Sequence, residues 1–153
     1  MGVNTLRPAV VPAAGLGDVL EGLGVCGDAG EVLVTGVCLD SPLVRPGDLY
    51  VALPGLHAHG AGFTGQAVGR GAVAVLTDPE GASAAGDPGV PILVSERLRP
   101  VMAAVSARVY GEPARGLELF GVTGTNGKTT TVALLEATLA AMGRRVGTIG
   151  TLG

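Results

Sequence analysis

A glycine-rich loop that ends in lysine and threonine is the clearest chemical feature of the sequence. It reads Gly124-Thr125-Asn126-Gly127-Lys128-Thr129-Thr130. Glycines let a backbone turn closely around phosphate oxygens, and successive N–H groups then point at them. A lysine here reaches the β and γ oxygens, and the hydroxyl after it can ligate Mg²⁺. The loop is therefore predicted to bind a nucleoside triphosphate, with Lys128 on the phosphates and Thr129 on the metal.

The segments around this loop predict the elements that position it. An apolar run at Leu117–Val122 predicts a strand, and apolar residues at helical spacing predict a helix over Thr129–Met142 that stops at Gly143. Val146–Thr148 begins another strand, so the order is strand, loop, helix, strand. The full Walker pattern is missing, since position 122 is valine. The alternative is a helix start with a solvated lysine and threonine caps.

The first 113 residues predict a separate small α/β domain. Strands are predicted at Glu31–Leu39, Leu49–Leu53, Ala72–Thr77 and Val90–Ser95, with helices at Phe63–Arg70 and Arg97–Tyr110. Residues 1–30 read as an irregular lead-in and residues 78–90 as a loop. Gly111-Glu112-Pro113 ends the last helix, which puts a boundary near residue 113. Residues 114–153 then form the first βαβ unit of a P-loop, Rossmann-like ATPase domain, which is incomplete because two parallel strands cannot bury both faces.

Composition excludes several classes of protein. The 153 residues are 47% hydrophobic and 15% charged, which disfavours disorder. The net charge of −3, without any basic run, lacks the electrostatic footprint of a nucleic-acid-binding protein. The longest apolar runs are far shorter than the roughly 20 residues that span a bilayer, so no membrane insertion is expected. Cys26 and Cys38 form no metal or disulfide pattern, and we predict a cytoplasmic protein.

Two motif sets carry a resemblance to a known family. The loop Gly124–Thr131 resembles the ATP loop of the Mur ligases, the amino-acid ligases of peptidoglycan precursor synthesis. Gly147–Thr151 resembles the branch that adds the third peptide residue. Independently, Leu39-Asp40-Ser41 and the segment Val44–Gly55 resemble the uridine-binding domain of that branch. The resemblance covers about residues 32–153.

The resemblance implies a role for individual residues. Leu39 and Ser41 would lie at the uracil and ribose, and the loop Leu56, His57 and Ala58 would make a second UDP contact. Lys128 would be the catalytic residue that bridges the ATP phosphates, with Thr129 on Mg²⁺. The remaining loop residues Gly124, Thr125, Asn126, Gly127 and Thr130 would surround the phosphate oxygens. Family members often carry aspartate where His59 stands. The alternative to a uridine contact at Asp40-Ser41-Pro42 is an ordinary turn, and the alternative for His57 and His59 is two solvated loop histidines.

The implied reaction uses ATP, with Mg²⁺ as cofactor, to phosphorylate the D-glutamyl carboxylate of UDP-N-acetylmuramoyl-L-alanyl-D-glutamate. The acyl phosphate is then attacked by the amine of diaminopimelate or lysine. The resemblance names no protein partner. Complete ligases are much longer than this chain and supply further metal ligands, adenine contacts and amino-acid selectivity. We therefore expect an amino-terminal fragment that does not turn over alone.

Three other functions stay open. The first is the sister ligase that adds D-Ala-D-Ala, although its loop more often carries serine at the position of Thr125. The second is a non-catalytic module that binds a UDP-linked cell-wall precursor. The third is an unrelated P-loop kinase or GTPase, which would leave residues 32–76 unexplained.

Overall fold

The computed structural model describes Pro8 and residues 10–150. The chain separates into two compact units, Met1–Arg115 and Gly116–Gly153. The division lies two residues after the boundary predicted from the sequence.

Short strands alternate with helices along the first unit. The described elements are β1 (Ala14–Gly15), α1 (Leu16–Leu20), β2 (Leu33–Val34), β3 (Gly36–Cys38), β4 (Asp48–Ala52), α2 (Thr64–Gly69), β5 (Ala74–Thr77), α3 (Pro79–Ala85), β6 (Ile92–Val94) and α4 (Leu98–Val109). Short 3₁₀ turns lie at Ser41–Leu43, Gly60–Phe63 and Pro113–Gly116. The predicted α/β class is confirmed.

A four-stranded parallel sheet in the order β3-β4-β5-β6 forms the centre of this unit. Both faces are covered, as a parallel sheet requires. Leu49 and Val51 of β4 point into one apolar cluster, which includes α4, and Tyr50 and Ala52 point into the other, which includes Ala67 of α2. The period-2 alternation of a strand thus divides β4 between two cores.

The predicted irregular lead-in is wrong for residues 14–20. β1 pairs antiparallel with β2 in a separate two-stranded sheet, and α1 follows directly. Leu16 and Val19 of this helix are buried against the core that α4 lines. Arg108 of α4 donates hydrogen bonds to the carbonyls of Val19 (2.9 Å) and Glu21 (2.7 Å) at the end of α1. Tertiary burial therefore stabilises a helix too short and too glycine-rich to form alone.

Two further predictions need correction. The run Glu31–Leu39 is split at Thr35 into β2 and β3, which belong to different sheets. Residues 79–85 form α3 instead of a loop, because Asp78 caps the helix and Pro79 occupies its first position. Asp78 Oδ1 accepts the Gly81 N–H at 2.7 Å, a typical N-cap hydrogen bond.

The second unit contains the predicted helix and not the predicted strands. α5 spans Lys128–Ala141, and Gly143 follows its C-cap Met142 with a φ of 75°, which suits a glycine stop. Within the described residues 116–150, the segments 117–122 and 146–148 are unpaired, so neither is a strand. The physical reason is that a parallel strand needs neighbours and covered faces. Leu119, Phe120 and Met142 are accordingly exposed.

Among the described residues, no helix has the length and apolarity needed to cross a membrane.

Candidate functional site

The carboxyl ends of the parallel strands gather polar side chains at one edge of the sheet. Ser41 follows β3, Asp78 follows β5, and Ser95 follows β6. The loop between β4 and α2 leaves from the same edge. Ligands of open parallel sheets bind outside the carboxyl ends of the strands, so this edge is the candidate substrate site.

Ser41 is buried in a polar cluster at this edge, with 5% of its surface exposed. Its hydroxyl donates to Gln66 Oε1 of α2 at 2.6 Å. Burial raises the pKa of the Tyr50 phenol, and the nearby Asp40 and Cys38 raise it further. The hydroxyl therefore stays protonated and donates to the Gly60 carbonyl at 2.9 Å. Tyr50 therefore ties the end of the loop after β4 back to that strand.

That loop, Leu53–Gly60, folds back on itself as a small hairpin, which we call the hairpin loop. Pro54 and His59 pair across it, and the Gly60 N–H donates to the Leu53 carbonyl at 2.8 Å. The Gly55 N–H donates to the Ala58 carbonyl at 3.2 Å. Its tip, residues 56–58, is exposed, with Leu56 at 99%. The tip is thus free to contact a ligand while its base is fixed.

His59 is not a solvated loop residue. Its Nδ1 accepts the Ala61 N–H at 3.0 Å, so the ring proton is on Nε2, which donates to Asp78 Oδ1 at 3.1 Å. Burial opposes ionisation of Asp78, but hydrogen bonds from the Gly81 N–H and from His59 outweigh it and lower the pKa of this carboxyl. Of the two histidines that the sequence allowed to be solvated, only His57 is exposed.

The lowered pKa of Asp78 predicts a contribution to stability that acid removes. The folded carboxyl has a pKa below the ordinary value of 3.8, so its contribution is complete above that pH and is lost as the pH falls through the folded pKa. Urea unfolding between about pH 6 and about pH 3 should show a smaller loss of stability in Asp78→Asn than in the unchanged chain. Equal losses in the two proteins would contradict this assignment.

The glycine-rich loop precedes α5 in the second unit. Gly124 and Gly127 have φ angles of 146° and 76°, which residues other than glycine rarely adopt. Lys128 Nζ donates to the Gly124 carbonyl and, at 3.5 Å, to that of Thr125, so the ammonium is folded over its own loop. Thr129 and Thr130 are exposed in the first turn of a 14-residue helix. These features fit a triphosphate with a hydroxyl-bound Mg²⁺.

The predicted substrate residues lie in segments that leave the same edge of the sheet. Ser41 is buried and bonded to Gln66, and Tyr50 holds the base of the hairpin loop, whereas Leu39 (48% exposed) and the loop tip face solvent. Tyr50, Gln66 and Asp78 were not predicted; the Asp-Pro pair at 78–79 was a usable capping signal for the last. In the described part of the chain, no group of three His, Cys, Asp or Glu side chains could hold a metal.

Two cavities lie away from this edge. One, of about 290 Å³, lies at the amino ends of β3 and β4 and is lined by Thr35, Arg45, Asp48 and Tyr110, among others. The second, of about 430 Å³, is formed by the glycine-rich segment 17–30. Neither contains a predicted site residue, and an exposed loop tip forms no enclosed cavity.

Two solved ligases have a similar fold. MurF from Acinetobacter baumannii superimposes with a TM-score of 0.67 at 20% identity, over 86% of this chain and 28% of that chain. A MurF ligase from Thermotoga maritima, solved in complex with ADP, gives a TM-score of 0.54 at 30% identity over 71% of this chain and 24% of its own. The first shows the fold alone.

Sequence comparison gives the family. A UDP-N-acetylmuramoyl-L-alanyl-D-glutamate–2,6-diaminopimelate ligase from Streptomyces avermitilis is 49% identical over 146 residues, which are 95% of this chain and 29% of the relative. This chain therefore spans less than a third of the length of that curated relative. A family described as "Mur ligase family, catalytic domain" matches residues 33–110, the parallel sheet and α4. Because the match covers more than half of the residues, the chain belongs to the Mur ligase family.

Proposed function

We propose that this chain carries the substrate-nucleotide site and the ATP phosphate loop of a ligase that adds a diamino acid to UDP-N-acetylmuramoyl-L-alanyl-D-glutamate. The observation that carries the proposal is the 49% identity, over nearly the whole chain, to a ligase named for this substrate. The polar carboxyl edge of the sheet supports it. The whole reaction needs parts that these 153 residues do not include, so this chain alone is expected to bind without turning over.

The two units are proposed to divide the work. Residues 1–113 would bind the UDP part at the carboxyl edge, with Leu39 and Ser41 near the uracil and ribose and residues 56–58 as the second contact. Ser41 already donates its proton to Gln66, so its lone pairs are what it offers a ligand. A donor such as an imide N–H or a ribose hydroxyl would satisfy it. Residues 114–153 would begin the ATP-binding domain.

ATP is proposed to transfer its γ-phosphoryl group to the D-glutamyl carboxylate and to leave as ADP. The diamino acid amine then attacks the acyl phosphate, releases phosphate and forms the amide. Positioning and charge neutralisation dominate such a transfer. Lys128 would leave the carbonyls it now contacts for the phosphates, and residues 124–127 with Thr130 would donate hydrogen bonds to oxygens. Mg²⁺, held in part by Thr129, would neutralise phosphate charge.

Diaminopimelate is the proposed diamino acid, because the Streptomyces and Pseudomonas relatives are named for it at 43% to 49% identity. The D-Ala-D-Ala-adding alternative has the solved MurF structures in its favour, but two of them are only 20% identical. We also propose a cytoplasmic location for the reaction.

Titration calorimetry of the chain with UDP-N-acetylmuramoyl-L-alanyl-D-glutamate tests the substrate site. We expect saturable binding that Ser41→Ala weakens about fivefold, the size of one lost hydrogen bond. Ser83→Ala is the matched control, because the hydrogen bond of Ser83 within the described residues is to the Pro79 carbonyl on the exposed side of α3. Equal affinities of the Ser41 and Ser83 variants, or no binding at all, would count against the assignment.

A further inference from the structure

We propose that His59, Asp78 and Gly81 form a loop clamp that positions the exposed tip of the hairpin loop for the uridine diphosphate of the substrate. His59 would then be a positioning residue, acting through residues 56–58. The inference rests on the proposed function for the ligand, and on the hydrogen bonds of the described residues for the clamp itself.

Both ring nitrogens of His59 are used, and each fixes the ring to a different part of the chain. Nδ1 accepts the N–H of Ala61, two residues further on, and Nε2 donates to Asp78, which directly follows β5. The two side chains retain only 17% and 20% of their exposure. A ring held at both nitrogens has one tautomer and one orientation, so the backbone at His59 is fixed as well.

Asp78 anchors the clamp to an element outside the loop. Its Oδ1 accepts both the His59 Nε2–H at 3.1 Å and the Gly81 N–H at 2.7 Å. The second bond caps α3, which fixes the carboxylate before it meets the histidine. The base of the hairpin loop is thereby tied to the amino end of α3.

Gly81 leaves the space that the imidazole ring occupies. A Cβ atom on this residue would lie 2.5 Å from His59 Cε1 and would also overlap Thr77 Oγ1. Contacts this short do not occur, so a side chain at position 81 would displace the ring. The cap, the carboxylate and the histidine therefore depend on one another.

The clamp reaches the ligand-facing tip through the pairing of the hairpin loop. His59 pairs with Pro54, and the Gly60 N–H donates to Leu53, so the residues on both sides of the tip are held. The tip itself makes one backbone hydrogen bond across its turn, from Gly55 to Ala58. Because the base of the loop is already fixed, less conformational entropy is lost when the tip binds a ligand.

The test compares affinity with amide hydrogen exchange in the 153-residue chain. His59→Ala and Asp78→Ala should each weaken binding of UDP-N-acetylmuramoyl-L-alanyl-D-glutamate about tenfold and should accelerate exchange of the Gly60 amide. The variant with both substitutions should bind no more weakly than the variants with either substitution alone. Asp78→Asn should bind within about twofold of the unchanged chain, because its Oδ1 still accepts both hydrogen bonds.

Two controls separate positioning from contact and from general destabilisation. His57→Ala alters the tip, so it should weaken binding while Gly60 exchange stays unchanged. Val105→Ala removes core packing in α4, and at a temperature where all variants are folded it should leave the affinity unchanged. The clamp is overturned if Val105→Ala weakens binding as much as His59→Ala, or if His59→Ala leaves Gly60 exchange as it was. If the unchanged chain does not bind, the proposed function fails, and the exchange measurement still decides whether the clamp exists.

Discussion

Replacing Lys128 by alanine is expected to lower ligase turnover by about 10²–10³-fold, the usual cost of removing one group that stabilises transition-state charge. The assay protein is a chimaera in which this chain replaces the matching 146 residues of the Streptomyces avermitilis relative. Lys128 is the cation that follows the glycine-rich loop, and its ammonium already lies over the loop carbonyls. The readout is ADP release that depends on both the UDP-muramoyl dipeptide and diaminopimelate.

Two further variants make the Lys128 result specific. Thr138 lies on the same helix, and within the described residues its hydroxyl bonds the Leu134 carbonyl of that helix. The turnover of Thr138→Ala should therefore match that of the unchanged chimaera. Lys128→Arg should remain strongly impaired, because a planar guanidinium does not replace a compact ammonium. Retention of more than a tenth of the activity in Lys128→Ala would remove this residue from the phosphate site.

The second large effect is expected from Gly60→Ala. A Cβ atom here would lie 2.9 Å from both the Ala52 Cα and the Leu53 N, which are backbone atoms at the end of β4 and cannot give way. Overpacking of this kind costs about 1–3 kcal/mol of unfolding free energy. Because the Gly60 carbonyl also accepts the Tyr50 hydroxyl, the displacement should weaken binding of the UDP-muramoyl dipeptide as well.

Gly62→Ala is the matched control, two residues away in the same 3₁₀ turn. Nothing lies within 4 Å of its added Cβ, so the free energy of unfolding should change little or rise slightly through the less flexible unfolded chain. Urea unfolding of the two variants gives the comparison. Equal stabilities would mean that β4 and the hairpin loop are not packed as described.

Local sequence signals predicted the central sheet well and failed where burial decides the structure. β4, β5, β6 and α4 are apolar runs bounded by Gly, Pro or Asp, and each lies within two residues of its predicted span. Leu16–Leu20 is flanked by glycines, and only packing against the core of α4 makes it helical. The strands predicted beside α5 fail for the opposite reason, since residues 117–122 have the strand pattern and no described partner.

The candidate site divides in a similar way. The glycine-rich loop and Ser41 could be predicted because their chemistry lies in contiguous residues. Three residues of this edge lie far from Ser41 in the sequence: Tyr50 is 9, Gln66 is 25 and Asp78 is 37 positions away. Only the parallel sheet and the helix packed on it bring them to the same edge. For His59 the sequence alone allows a solvated residue, because no local pattern shows the carboxylate that it contacts, 19 residues away.

A nuclear magnetic resonance titration of the ¹⁵N-labelled chain with UDP-N-acetylmuramoyl-L-alanyl-D-glutamate would place the nucleotide site directly. We predict amide shift changes at the carboxyl edge, at Ser41, at residues 56–58 and around Asp78. The amino-edge cavity near Thr35, Arg45 and Tyr110 should stay unchanged and serves as the internal control. Changes confined to that cavity, or no saturable change anywhere, would contradict a uridine site at the carboxyl ends of the strands.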